Sequence, residues 1–79
     1  MRKDINEDDE ILYNKLKELR FEYAKKLKLP VYVIFPDKTL IEMAKYKPTS
    51  SEELEKIFGV GKAKLKKFGK NFINIISSS

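Results

Sequence analysis

LPVYVIFPD, residues 29–37, decides how the rest of this chain is read. Val31, Tyr32, Val33, Ile34 and Phe35 are all β-branched or aromatic, the composition of a strand. Pro30 and Pro36 bracket them. No second run in the chain could pair with such a strand, and a lone strand leaves its backbone donors and acceptors unsatisfied. The stretch is therefore expected to be an apolar, non-helical, turn-like linker that crosses a helical core. Val33, Ile34 and Phe35 would plug that core, and the two prolines would fix the path of the chain on either side. Tyr32 is left without a structural task.

The flanks read as helices. From about Asn6 to Lys28, Leu12, Leu16, Leu19, Tyr23 and Leu27 recur at steps of three and four, one stripe of an amphipathic helix. Glu7, Asp8, Asp9 and Glu10 fall in its first turns and Lys25, Lys26 and Lys28 in its last, both complementing the helix dipole. The acidic cluster could also hold a divalent cation, but dipole pairing suffices to explain it. Pro30 should stop this helix. Asp37 is placed to N-cap a short helix through Leu40, Ile41, Met43 and Ala44 that Pro48 would end. Ser50 with Glu53, and Thr49 with Glu52, have capping-box spacing. Leu54, Ile57 and Phe58 would be the buried side of the helix that follows, with Gly59 closing it. Val60-Gly61 reads as a hinge and Lys62 to Phe68 as the next helix, contacting the core through Ala63, Leu65 and Phe68. Gly69 would break it, Phe72, Ile73 and Ile76 would form a last helix, and Ser77 to Ser79 would fray. The expectation is an all-α bundle of one long and four short helices. It forms a single domain over residues 1–79, with a core from about residue 8 to 76 and frayed ends.

Composition narrows the chemistry. The chain has 79 residues, 42% hydrophobic, enough for one small globular domain. It has no cysteine and no histidine, which removes disulfides, thiolate or imidazole metal ligands, and any imidazole base. No apolar run approaches the roughly 18 residues of a membrane span, and the N-terminus turns acidic where a signal peptide turns apolar. A cytoplasmic, nucleoid-associated setting is expected. The net charge is +5, unevenly spread: residues 1–10 carry two basic and five acidic side chains, residues 56–79 six lysines and no acid. Such a distribution suits either a solvated surface or a face for polyanions.

Taken in order, LPVYVIFPDKTLIEMA and KPTSSEELEKIFGVGKAKLKKFGKNFINII resemble the HRDC domain, the helicase-and-RNase-D C-terminal module. The similarity runs from about Leu12 to Ile76. Its most specific parts are the proline-aromatic linker, Asp37 with Leu40, and the closing LxxIFGVGxxKLxxFG. The resemblance implies a compact five-helix bundle of SAM-like topology that is not itself an enzyme. It implies an auxiliary nucleic-acid-binding module, most like those of bacterial RecQ-type DNA helicases. No cofactor is expected for the domain. ATP and magnesium would belong to the motor of a parent helicase.

Tyr32 matches the position where bacterial relatives carry an aromatic associated with single-stranded DNA. Stacking of an exposed tyrosine on an unpaired base contributes roughly 1–3 kcal/mol. The other reading is a tyrosine packed on the bundle with its hydroxyl in water. Lys17, Arg20, Lys28 and Lys38 lie on or near the segments flanking Tyr32 and could track a phosphate backbone without reading sequence. Gly59-Val60-Gly61 with Lys62 and Lys64 resembles the hairpin of helix-hairpin-helix modules, where free backbone N–H groups can hold a phosphate. The same glycines could equally serve a tight interhelical turn alone. No nucleotide site is present, because Lys64 stands where either glycine-rich motif needs glycine. Phe21 lies about 180° from the Leu12–Leu19–Tyr23 stripe at roughly 100° per residue. Either a later helix covers it, or it is an exposed contact for another part of the parent or a second stacking face.

The expected partners are single-stranded DNA or DNA junctions and the rest of a parent helicase, with the domain a monomer away from membranes. The rival expectations are a protein-interaction module within the helicase and an RNA-binding module of an RNase D-type exonuclease.

Overall fold

The computed structural model describes residues 6–79. Five helices follow one another: α1 (Glu7–Leu27), α2 (Val31–Ile34), α3 (Asp37–Tyr46), α4 (Ser51–Glu55) and α5 (Lys62–Ser77). No strand occurs among the described residues. The all-α bundle expected from the sequence is thus observed, but two of its five helices are divided differently. The fraying expected ahead of residue 8 falls partly on residues 1–5, outside the described residues.

Asn6 caps α1, its side chain accepting from the Asp9 N–H at 2.8 Å. The helix stops before Pro30. Lys28 turns left-handed at φ 58°, and Lys28 and Leu29 both donate to the Ala24 carbonyl. The buried face is rotated from the expected stripe. Leu12, Tyr13, Leu16, Arg20 and Ala24 are buried, Leu19 and Tyr23 half-buried, and Leu27 exposed. The reason is that α1 is covered on two flanks. The α2–α3 junction meets Arg20, whereas α5 meets Tyr23 through Asn71, Phe68 and Phe72. Asp9 is buried because the Lys47 ammonium, from the left-handed C-cap of α3, donates to its carboxylate.

Residues 31–34 form a helical turn, which corrects the non-helical linker. The Pro30 carbonyl accepts from Val33 N–H at 3.0 Å, and the Pro36 carbonyl accepts from Thr39 N–H at 3.0 Å. Each proline, lacking an N–H, sits where a helix start needs none and supplies the first acceptor. With no strand to pair with, the backbone satisfies itself locally. Helical rather than extended geometry also changes which side chains turn inward. Ile34 and Phe35 are buried as expected, but Val33 is exposed and Val31 packs on the core instead. Phe35 meets Phe72 and Phe68 edge-on, with ring centroids 5.1 and 5.9 Å away. Asp37 is the first residue of α3, not its N-cap, a place Pro36 takes.

Ser50 caps α4, accepting from Glu53 N–H. The return bond differs from the expected pairs. The Glu53 carboxylate reaches Thr49, accepting from its N–H at 2.8 Å and its hydroxyl at 3.2 Å. These bonds, the backbone one first, hold its carboxyl below the usual carboxylate range. Leu54 and Ile57 are buried, but Phe58 is 53% exposed. Phe58 sits in the turn after α4 rather than on its face, and α3 holds that turn from both sides. Thr39 Oγ1 donates to the Phe58 carbonyl at 2.8 Å, and the Glu42 carboxylate accepts from the Phe58 N–H at 3.2 Å.

Gly59 follows with φ 82°, and a Cβ there would lie 2.5 Å from Thr39 Oγ1. Gly69 does not break a helix, since α5 runs through it to Ser77. A Cβ at Gly69 would lie 2.9 Å from Leu65 Cδ1 and 3.5 Å from Leu54 Cδ2, so this glycine serves the close approach of α4 and α5. Ser77 is helical, and the exposed Ser78 and Ser79 hydroxyls donate to the Asn74 and Ile75 carbonyls of α5.

Gly59→Ala should destabilise the domain by about 2 kcal/mol, through the left-handed backbone and the clash with Thr39 together. In thermal unfolding this is a fall in Tm of roughly 10 °C. Unchanged Tm would show that the turn is not held as described.

Candidate nucleic-acid interface

Arg20 is the least expected of the site residues. It is 5% exposed and does not face solvent. Its Nη1 donates to the Phe35 carbonyl at 2.8 Å, and its Nη2 meets Asp37 Oδ1 at 2.9 Å. The sequence reading of Arg20 as a phosphate contact is therefore corrected. Its fork is occupied on both arms by the α2–α3 junction. Asp37, the other half of the pair, keeps its side chain more than half in water.

This anchoring leaves Tyr32 outside. Helical geometry places it opposite Ile34, and it is 67% exposed. Lys28 lies just before α2 and Lys38 in the first turn of α3, so an exposed lysine stands on each side of Tyr32 along the chain. Lys38 holds its ammonium 4.5 Å from the centroid of the exposed Phe58 ring. Neither the exposure of Phe58 nor this pairing was expected. A clue was available, because Phe58 is next to a glycine in a turn, where large apolar side chains need not face inward.

On α1, Lys17 and Phe21 fall within about 40° of one another at roughly 100° per residue. They lie beyond Arg20 and Ala24. Phe21 is 55% exposed, so no later helix covers it, and Lys25 lies 6.0 Å from its ring centroid. The Lys17 ammonium is 5.2 Å from the centroid of the Tyr13 ring. Lys62 and Lys64 open α5, with Gly61 as its N-cap. Lys62 is exposed. Lys64 is half-buried, its ammonium 5.5 Å from the Phe35 ring, and it lines a separate groove. Tyr32, Lys28 and Lys38 thus follow one another along the chain around α2, Lys17 and Phe21 line a groove on α1 that also includes Leu19 and Ile75, and Lys64 belongs to another wall.

Comparison with known proteins follows the same outline. The HRDC domain pattern matches residues 9–76. The chain belongs to the HRDC domain family. It is 43% identical over 75 residues, 95% of its length, to the ATP-dependent DNA helicase RecQ of Haemophilus influenzae. It is 39% identical over 74 residues, 94% of its length, to the enzyme of that name from Bacillus subtilis. The ATP-dependent DNA helicase UvrD2 of Mycobacterium tuberculosis is 38% identical over 86% of the chain. These matches cover 12%, 12% and 10% of the relatives, so the HRDC chain spans about a tenth of their length. Among the described residues of this HRDC domain, no helix is long and apolar enough to cross a membrane and no acidic cluster is arranged to hold a metal ion.

Arg20→Ala should cost about 2–3 kcal/mol of unfolding free energy, the worth of charge-assisted hydrogen bonds to a buried carbonyl. Asp37→Ala should cost about 1 kcal/mol or less, because its carboxylate is largely solvated. Urea denaturation of both variants checks the ordering. Wild-type stability in Arg20→Ala would return Arg20 to the surface role first expected of it.

Proposed function

We propose that this HRDC domain is an auxiliary module of a RecQ-type ATP-dependent DNA helicase that binds single-stranded or partly single-stranded DNA weakly and helps target the motor. The observation that carries this reading is Tyr32, turned out to 67% exposure by a helical turn whose last residue, Ile34, is buried along with Phe35 after it. An aromatic face held by a rigid backbone and flanked by lysines suits an unpaired base and its phosphates. Tyr32 stacks, Lys28 and Lys38 take phosphates on either side, and Lys17 extends the track along α1. Phe21 offers a second stacking face on α1. The lysines position the strand rather than read it, so little base preference is expected. Lys62 and Lys64 add positive potential from α5.

ATP and magnesium would be bound by the parent's motor, in a bacterial cytoplasm at the nucleoid, and the module would act as a monomer. A dissociation constant of roughly 1–100 μM at moderate salt follows from about four phosphate contacts. The names of the relatives favour DNA over the RNA of an RNase D-type exonuclease. A protein-docking role is the second reading, and exposed Phe21 favours it. Packing against the parent helicase would use Phe21 without any need for Tyr32.

Tyr32→Ala should lose about tenfold in affinity for a single-stranded oligonucleotide, the lower half of the stacking range, with no change in Tm. Lys38→Ala should lose a few-fold and reduce the slope of log affinity against log salt by about one. Fluorescence anisotropy at low salt measures both. Wild-type affinity in Tyr32→Ala would remove the stacking role, and absence of binding up to millimolar protein would leave the docking reading.

A further inference from the structure

A second surface stands apart from Tyr32. Leu27 and Leu29, at the end of α1 and just after it, and Val33 of α2 are three of the exposed large apolar side chains. They gather with Ile34, Ala63 and Phe68 around a groove of about 750 Å³ between the end of α1, α2 and the start of α5. The remaining lining residues are Lys64, Lys66 and Lys67, and no acidic residue lines it. Each residue has a local reason to be there. The left-handed Lys28 ends α1 and turns Leu29 out. The helical turn of α2 brings Val33 to the surface. In α5, Lys62, Lys64, Lys66 and Lys67 are interleaved with Ala63, Leu65 and Phe68 over the first two turns.

An apolar floor rimmed by charge of one sign suits a partner that brings apolar side chains and the opposite charge. Two partners carry the complementary negative charge. A nucleic acid needs aromatic faces for its bases, and here the floor is aliphatic apart from Phe68, which is buried. Aliphatic floors instead fit leucine, isoleucine or phenylalanine side chains, while the lysine rim fits carboxylates. We propose that this groove docks an acidic peptide carrying at least two large apolar side chains, supplied by a partner protein. The apolar side chains sit on Leu27, Leu29 and Val33, and the peptide carboxylates meet Lys64, Lys66 and Lys67. Tyr32, which carries the DNA-binding reading, does not line this groove, and Lys64 is the one residue that both readings use.

The test is a titration of the whole chain into a fluorescein-labelled peptide of about ten residues, aspartates interspersed with leucine and phenylalanine. A second labelled peptide, with serine in place of the apolar residues, controls for charge alone. Saturable binding of the first peptide, at least about tenfold tighter than the second, is expected. Leu29→Glu and Lys67→Glu should each weaken it at least about tenfold, and Tyr32→Ala should leave it within about twofold. Circular dichroism of both groove variants should match wild type, and where Leu29→Glu unfolds the chain, Leu29→Ser replaces it. Equal binding of the two peptides, or wild-type binding in both groove variants, overturns the proposal. Concentration-dependent self-association of the chain that Leu29→Glu abolishes also overturns it, assigning the groove to a second copy.

Discussion

A single guanidinium sets the frame. Phe35 ends α2, Pro36 follows it without an N–H, and the Phe35 carbonyl is left pointing into the bundle. A buried carbonyl without a partner costs about as much as a lost hydrogen bond. Arg20 satisfies it from the middle of α1 and reaches Asp37 with its other arm. Its Nε has no partner among the described residues, so the two terminal nitrogens carry the contact. That one side chain fixes where the α2–α3 junction lies on α1. From this follow the placing of the Phe35 ring against Phe68 and Phe72, and the outward projection of Tyr32. The other ties are peripheral by comparison: Lys47 with Asp9 joins the end of α3 to the start of α1, and Thr39 and Glu42 hold the Phe58 turn.

Much of this was legible in residue types and spacing. Asn6 and Ser50 have the small polar side chains that cap helices, and both do so. Leu12, Leu16, Leu40, Met43 and Leu54 are large, apolar and helically spaced, and all are buried. What was not legible is where tertiary packing overrides local preference. VYVIF has strand composition, but propensity for a strand has no value without a neighbouring strand, and the prolines favour helix starts on both sides. Gly69 looks like a breaker because its cost in a helix is local, while part of its benefit, room for Leu54, comes from another helix. Arg20 looks like a surface charge because arginine usually is one. Only its place between Leu16 and Ala24, four residues from each, hinted at the buried face.

The surface divides in the same way. Of the residues first picked for a DNA contact, Tyr32, Lys17, Lys28, Lys38 and Lys62 are exposed, as is Phe21. Arg20 is withdrawn inside, and its role changes from touching the ligand to shaping the element that would touch it. Lys64 faces a groove whose floor is aliphatic. One short helix therefore serves two surfaces: Tyr32 on one side, Val33 on the other, with Ile34 and Phe35 between them in the core. A lone four-residue helix is not stable in water. It persists because the core and Arg20 hold its far end, and that rigidity would keep the entropic cost of stacking low.

The most direct measurement is an NMR titration of the labelled domain with a short oligothymidine, following backbone amides. The account predicts that the largest shifts cluster at residues 28–38 and around Lys17 and Phe21, with Lys66 and Lys67 of α5 little affected. Shifts confined to the start of α5, or scattered without a centre at α2, would contradict it.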